Sequence, residues 1–231
     1  MTRKLCVAGC SFSDYTHVDR VYGEYLADNL QLQYVHEAAG CGSNWRIWRR
    51  VVGNVLSGVI CPDDIVIIQY TNPERREFFS KNKPFNHVVD PNNKIRTVEP
   101  YDDGSLIRYK YNSHTWQDYD NENDFFKAYE DNHISITYER ELFNVHHEMF
   151  QSFMKERNIN VIFIHGRYIK NNKINISYNE KYKPYVFNED LVVMMADEYR
   201  LLPDDLGHMS EQGHKKFSEL LCDHIKNINL I

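Results

Sequence analysis

The sequence predicts a three-layer α/β domain built on a parallel sheet, and three observations lead to that expectation. Two continuous apolar runs, Ile65-Val66-Ile67-Ile68 and Val161-Ile162-Phe163-Ile164 with Asn160 before it, read as strands buried on both faces. Patterns with helical spacing separate the strand-like runs, and such alternation favours parallel strands covered by helices on both sides. Residues able to do chemistry gather just beyond strands: Ser11 after the first, Asn72 after the third and His165 after a later one.

In chain order, Lys4 to Ala8 reads as the first strand. A helix is expected over about 18–30, with Val21, Tyr22, Tyr25, Leu26 and Leu30 on one face. Gln33 to Glu37 reads as the second strand, and Gly40 and Gly42 mark a turn. Asn44 can then cap a helix carrying Trp45, Ile47, Trp48, Val51, Val52, Val55 and Leu56. Pro62-Asp63-Asp64 is a turn leading into the third strand. A helical pattern over about 134–157 runs through Tyr138, Leu142, Val145, Met149 and Phe153 into the strand at Asn160 to Ile164. Further helices are expected around 188–199 and 210–225. The sheet this implies is flavodoxin-like.

Between the third strand and the helix starting near residue 134 lies a long insertion, about 74–133, rich in Asn, Asp, Tyr and Pro. An insertion of this length is usually functional or separately folded. Leu106 to Tyr111 looks strand-like and suggests a hairpin or a lid near the site. Phe78, Phe79, Tyr101, Tyr109, Tyr111, Trp116 and Tyr119 are equally suited to stacking on sugar rings and to forming a hairpin's own small core. With 231 residues and 42% hydrophobic content, residues 1–231 are read as one domain able to bury one core.

The formal charge of -6 and pI near 6.0 supply no basic field of the kind nucleic-acid binding needs. Leu5 to Ala8 is too short for a signal peptide, and no apolar run approaches the ~18 residues of a membrane helix. The expected setting is therefore cytoplasmic or virion-borne. The five cysteines, Cys6, Cys10, Cys41, Cys61 and Cys222, lack Cys-x-x-Cys spacing, so reduced thiols are expected, with no zinc site and no cofactor.

A serine hydroxyl needs a neighbouring base to become a nucleophile, and that base needs a group to hold its tautomer. Gly9-Cys10-Ser11-Phe12-Ser13 follows the first strand, and Asp205-Leu206-Gly207-His208 precedes the last helix. Ser11 is thus the candidate nucleophile, His208 its base, and Asp205 the carboxylate that orients the imidazole.

These segments, with Gly40-Cys41-Gly42-Ser43-Asn44 and Tyr70-Thr71-Asn72-Pro73 between them, resemble the four blocks of the SGNH (GDSL-like) hydrolase superfamily. The resemblance implies metal-independent ester hydrolysis. It also implies an oxyanion hole formed by Ser11 N–H, Gly42 N–H and the Asn72 side-chain amide. Three positions depart from the family pattern: Cys10 stands where Asp is usual, Tyr70 where Gly is usual, and Pro73 where Asp is usual. None removes a proposed catalytic atom, but Tyr70 could narrow the pocket. Position 13 is Ser, so the segment is not the Gly-x-Ser-x-Gly elbow of α/β-hydrolases.

Several residues have two readings. Arg75 and Arg76 could hold a carboxylate or sugar oxygens, or be an ordinary charged loop end. His165 could line the ligand edge of the sheet. Cys10 is read as a buried, unreactive thiol and His214 as a packing residue of the last helix. The adjacent His146 and His147 cannot share a helix face, which makes them a poor metal pair.

The expected activity is serine ester hydrolysis through an acyl-enzyme, acting on a small ester or on O-acetyl groups of a glycan. One rival is acyl transfer by the same serine to a sugar hydroxyl. Another is a non-catalytic glycan-binding or assembly module that has kept the fold. Oligomeric state is left open.

Overall fold

The computed structural model describes residues 2–15, 18–39, 43–71, 136–165, 176–187 and 208–231, together with the backbone of short strands between 76 and 116. The strands are β1 (Lys4–Ala8), β2 (Gln33–His36), β3 (Ile65–Gln69), β4 (Arg76–Phe79), β5 (Val88–Val89), β6 (Ile95–Arg96), β7 (Ser105–Arg108), β8 (Lys110–Tyr111), β9 (Thr115–Trp116), β10 (Asn160–Ile164) and β11 (Val186–Phe187). The helices are α1 (Tyr22–Leu30), α2 (Asn44–Leu56), α3 (Ile136–Glu156) and α4 (Glu211–Asn227).

The main sheet has the order β11-β10-β3-β1-β2-β6-β5. Its parallel centre, β2-β1-β3-β10-β11, is the 2-1-3-4-5 arrangement of flavodoxin-like folds. Because the chain moves one way from β1 to β2 and the other way from β2 to β3, right-handed crossovers place α1 and α2 on opposite faces. Side-chain alternation follows. Leu5, Val7, Ile65, Ile67, Ile162 and Ile164 pack under α1 and α4, with Tyr22, Leu26, Phe217 and Leu221. Cys6, Ala8, Val66, Ile68, Val161 and Phe163 pack under α2 and α3, with Trp48, Val51, Phe143 and Phe150. The three layers expected from the sequence are all present.

Several boundaries and faces differ from expectation, each for a physical reason. Helix α1 starts at Tyr22 rather than near 18, because Val21 is extended and has no capping side chain. The amide of Tyr22 is met instead by His214 Nδ1 from α4, at 3.1 Å. Helix α2 is capped by Ser43, which accepts from Arg46 N–H at 3.1 Å, so Asn44 is released for another task. On α3 most of the stripe chosen from spacing faces outward, with Tyr138, Val145 and Met149 exposed and only Phe153 packed against the core. The buried stripe carries Phe143, His147, Phe150 and Met154. The helix carries two apolar stripes, and the sheet takes the one with the two phenylalanines.

In the insertion, β4 pairs antiparallel with β7, and β8 with β9. The strand-like piece from Leu106 to Tyr111 falls in two short strands, β7 and β8, each in an antiparallel pair with a different partner. β5 and β6 form an antiparallel pair, and β6 runs parallel to β2 through His36 and Arg96. Strand β11 was not foreseen, since two residues after Pro184 carry no alternation to read. The helix expected around 188–199 lies outside the described residues. Among the described residues, no helix is long and apolar enough to cross a membrane.

Candidate active site

The carboxyl ends of β1 and β3 lie side by side where the strand order reverses, the place where open α/β sheets bind ligands. β1 ends at Ala8, and Gly9 begins a turn closed by Ser13 N–H donating to the Cys10 carbonyl at 2.9 Å. Only glycine fits at position 9: a Cβ there would lie 2.6 Å from Ser13 Oγ and 2.9 Å from Gln69 Oε1. Ser11 is half-buried on this turn.

His208 arrives from the other end of the chain, 197 residues later, and places Nε2 2.9 Å from Ser11 Oγ. With the imidazole proton on Nδ1, the serine hydroxyl donates to Nε2, the arrangement a general base needs. Met209 is buried under the sheet and Ser210 caps α4, so both neighbours on that side anchor the short approach to the helix. The Phe12 ring lies 5.0 Å from the imidazole, tilted by 30°.

Asp205, Gly42, Asn72 and Arg75 lie outside the described residues, as does the Arg76 side chain, although its backbone opens β4. The neighbours of Gly42 and Asn72 are defined. Thr71 N–H donates to Asn44 Oδ1 at 2.9 Å, and Asn44 Nδ2 donates to the Thr71 carbonyl at 3.0 Å. This buried two-point bond ties the start of α2 to the end of β3. It is the task Asn44 performs in place of capping.

Tyr70, expected to narrow the pocket, is fully buried in the core. Val66, Ile68 and Tyr70 alternate onto the same face, so the ring packs against Trp48, Phe143 and Phe163, and the hydroxyl bonds His147 Nδ1. His165 is half-buried at the end of β10, where Nε2 bonds the Tyr178 hydroxyl and the two rings stack at 5.7 Å.

Cys10 is buried, its thiol donating to Gln69 Oε1 at 3.3 Å. His214 is also buried. Burial first, and the charge of His208 second, push its pKa down to about 4. Together with its bond to Tyr22 N–H, this makes it a neutral structural group. His146 and His147 diverge, the first against Trp45 and the second against Tyr70. Among the described residues no three His, Cys, Asp or Glu side chains are grouped to hold a metal ion.

Three polar features at this edge have no counterpart in the motifs. Gln69 joins the Ser11 turn to β3. Asp14 Oδ1 meets His36 Nε2 at 3.0 Å, and Tyr34 OH lies 2.9 Å from His36 Nδ1. Glu37 is buried and bonded by Arg50 at 2.8 Å and Asn54 at 2.6 Å, while Arg46 Nη1 donates to the Glu37 carbonyl at 3.0 Å. Their signal was available in part: Gln69 is a polar residue ending an apolar strand, whereas His36 and Glu37 end and follow the mixed strand β2.

Neither a protein-family model nor a curated protein sequence matches the chain. Among solved structures, it is similar to a lipolytic protein of the G-D-S-L family from Desulfitobacterium hafniense, at 14% identity and TM-score 0.49 over 96% of this chain and 98% of that one. It is also similar to an acetyl xylan esterase from the rumen bacterium Butyrivibrio proteoclasticus, at 14% identity and TM-score 0.46, covering 99% of this chain and 65% of that enzyme.

Proposed function

We propose that the chain is a serine ester hydrolase of the SGNH type that works through an acyl-enzyme. One observation carries this reading: a hydroxyl and an imidazole from opposite ends of the sequence meet at 2.9 Å on the ligand-binding edge of the sheet. Packing alone does not require such a meeting.

In this reading Ser11 Oγ attacks the ester carbonyl as its proton passes to His208 Nε2. The tetrahedral oxyanion is held by Ser11 N–H, Gly42 N–H and the Asn72 amide, in a role where one donor is worth about 10²–10³ in rate. Collapse expels the alcohol, which takes the proton from the imidazolium and leaves Ser11 acylated. Water then attacks the acyl carbonyl and gives its proton to Nε2. The second collapse returns that proton to Ser11 Oγ and releases the acid. Asp205 holds Nδ1–H and stabilises the imidazolium.

The substrate proposed is a short acyl ester, foremost an O-acetyl group on a carbohydrate. The polar, aromatic-rich insertion at 74–133 supports a sugar-bearing substrate over a long-chain lipid. Hydrolysis of p-nitrophenyl acetate, butyrate and octanoate, followed by acetate release from acetylated xylan and acetylated hexosamine, tests this. Turnover should fall from acetate to octanoate and vanish in Ser11→Ala. Ser11-dependent turnover that rises with acyl length would replace the deacetylase by a lipase, and no turnover on any ester would refute the hydrolase.

A further inference from the structure

Ser11 lies between two residues that are both anchored to the same side chain. Gln69, the last residue of β3, is fully buried. Its Oε1 accepts from Cys10 N–H at 3.2 Å, from the Cys10 thiol at 3.3 Å and from the Ser13 hydroxyl at 3.1 Å. Its Nε2 donates to the Tyr70 carbonyl at 2.6 Å. The Ser13 hydroxyl lies 2.8 Å from Tyr22 OH, so hydroxyl donors run in one direction, from Tyr22 to Ser13 to Gln69. Aligned bonds of this kind polarise and strengthen one another.

We infer that Gln69 is a positioning residue that holds the Ser11 turn against the end of β3, fixing the serine hydroxyl relative to His208. The inference rests on the hydrolase reading above. Three features support it independently of the motifs. The amide lies within a turn that has Ser11 at its tip and bonds the residue before it and the residue two after it. Gly9 supplies the space, since a Cβ there would fall 2.9 Å from Gln69 Oε1 and 3.0 Å from Gln69 Cβ. Both ends of the amide are used, so neither a carboxylate nor a hydrocarbon of the same size reproduces its bonds. Alternation explains how β3 supplies it: Gln69 follows Ile65 and Ile67 onto the α1 face, while Tyr70 turns to the other.

The test compares wild type, Gln69→Leu and Gln69→Glu, each first shown folded by circular dichroism and a thermal melt. The readouts are the rate at which a fluorophosphonate labels Ser11 and the kcat and KM for p-nitrophenyl acetate. Displacing a nucleophile by about 1 Å can cost about 10²-fold, so Gln69→Leu should lose on that order in labelling rate and kcat with KM little changed. In Gln69→Glu a protonated carboxyl can still accept at one oxygen and donate to the Tyr70 carbonyl with the other. Ionised, it loses that donor and sets an anion against the carbonyl. This variant should therefore gain a falling limb as pH rises that wild type lacks. The titratable groups facing position 69 are the Cys10 thiol on the turn and, through Ser13, Tyr22 on α1, whose pKa burial raises.

Folded variants that label at the wild-type rate at every pH, with wild type itself labelled, overturn the positioning role and leave the hydrolase standing. Wild type that neither labels nor turns over overturns both. Should Gln69→Leu not fold, the pH profile of Gln69→Glu decides alone.

Discussion

The two ends of the central strands are built differently. At the amino end the buried polar side chain is Asp64, which accepts from Lys4 N–H at 2.7 Å and Cys61 N–H at 2.8 Å and closes the turn into β3. Nearby, Arg3 donates to the carbonyls of Asp63 and Leu230, and the Lys4 ammonium to that of Val59. These bonds satisfy backbone groups and fasten the chain. At the carboxyl end, Ser13, Asp14, His36, Glu37, Asn44 and Gln69 are all buried. They hold loops rather than ending strands, and the Ser11–His208 pair stands among them. Burying so many polar groups is tolerated only where they are bonded to one another. Their concentration at one end marks the edge where geometry, beyond mere folding, matters.

Substitutions at the two ends should therefore differ in kind. The largest effect belongs to the pair itself. Ser11→Ala or His208→Ala should lower kcat by about 10⁴–10⁶ while leaving the melting temperature near wild type. Steady-state kinetics on p-nitrophenyl acetate with parallel melts measures both.

Asn44→Ala should act on both properties. It strips Thr71 N–H and C=O of their partners, a cost of about 1–3 kcal/mol for a buried group left unmet. It should also loosen the approach to Asn72, with about 10-fold or more lost in kcat. Asp64→Ala, at the opposite end, should cost about 1–2 kcal/mol in urea unfolding and leave the kcat of the folded protein unchanged. Equal kinetic damage from Asp64→Ala would erase the contrast between the ends.

The last effect is absent at neutral pH and appears only on acidification. Burial brings His147 and His214 down to about 4 from the ordinary 6.5. The unfolded chain takes up protons below 6.5 while the folded chain resists until about 4. Stability contributed by these two groups is thus present above 6.5 and declines as pH falls towards 4. Melting temperatures across that interval should drop, and His214→Gln should flatten the slope.

What could be read from the sequence follows the same division. β1, β3 and β10 were legible because strands buried on both faces are continuously apolar, and Ser11 and His208 because they sit in short segments at a strand end and before a helix. Tyr70 was misplaced because its motif position outweighed its alternation with Val66 and Ile68, which sends it into the core. Asn44 was read as a cap because Ser43, one residue earlier, can do the same work, and local sequence does not choose between adjacent caps. The outward stripe of α3 shows that helical spacing finds apolar faces without saying which one meets the sheet. Gln69 went unremarked because its three bonds to the Ser11 turn span 56 to 59 residues: its place at the end of an apolar strand is local, its partners are not.

The most direct test of the central claim is to treat wild type and His208→Ala with a fluorophosphonate and locate the adduct by peptide mass spectrometry. The account predicts a single adduct on Ser11 in wild type, with its rate of formation collapsing in His208→Ala. Wild type left unlabelled at Ser11, or labelled equally fast without His208, would contradict the reading of these two residues as nucleophile and base.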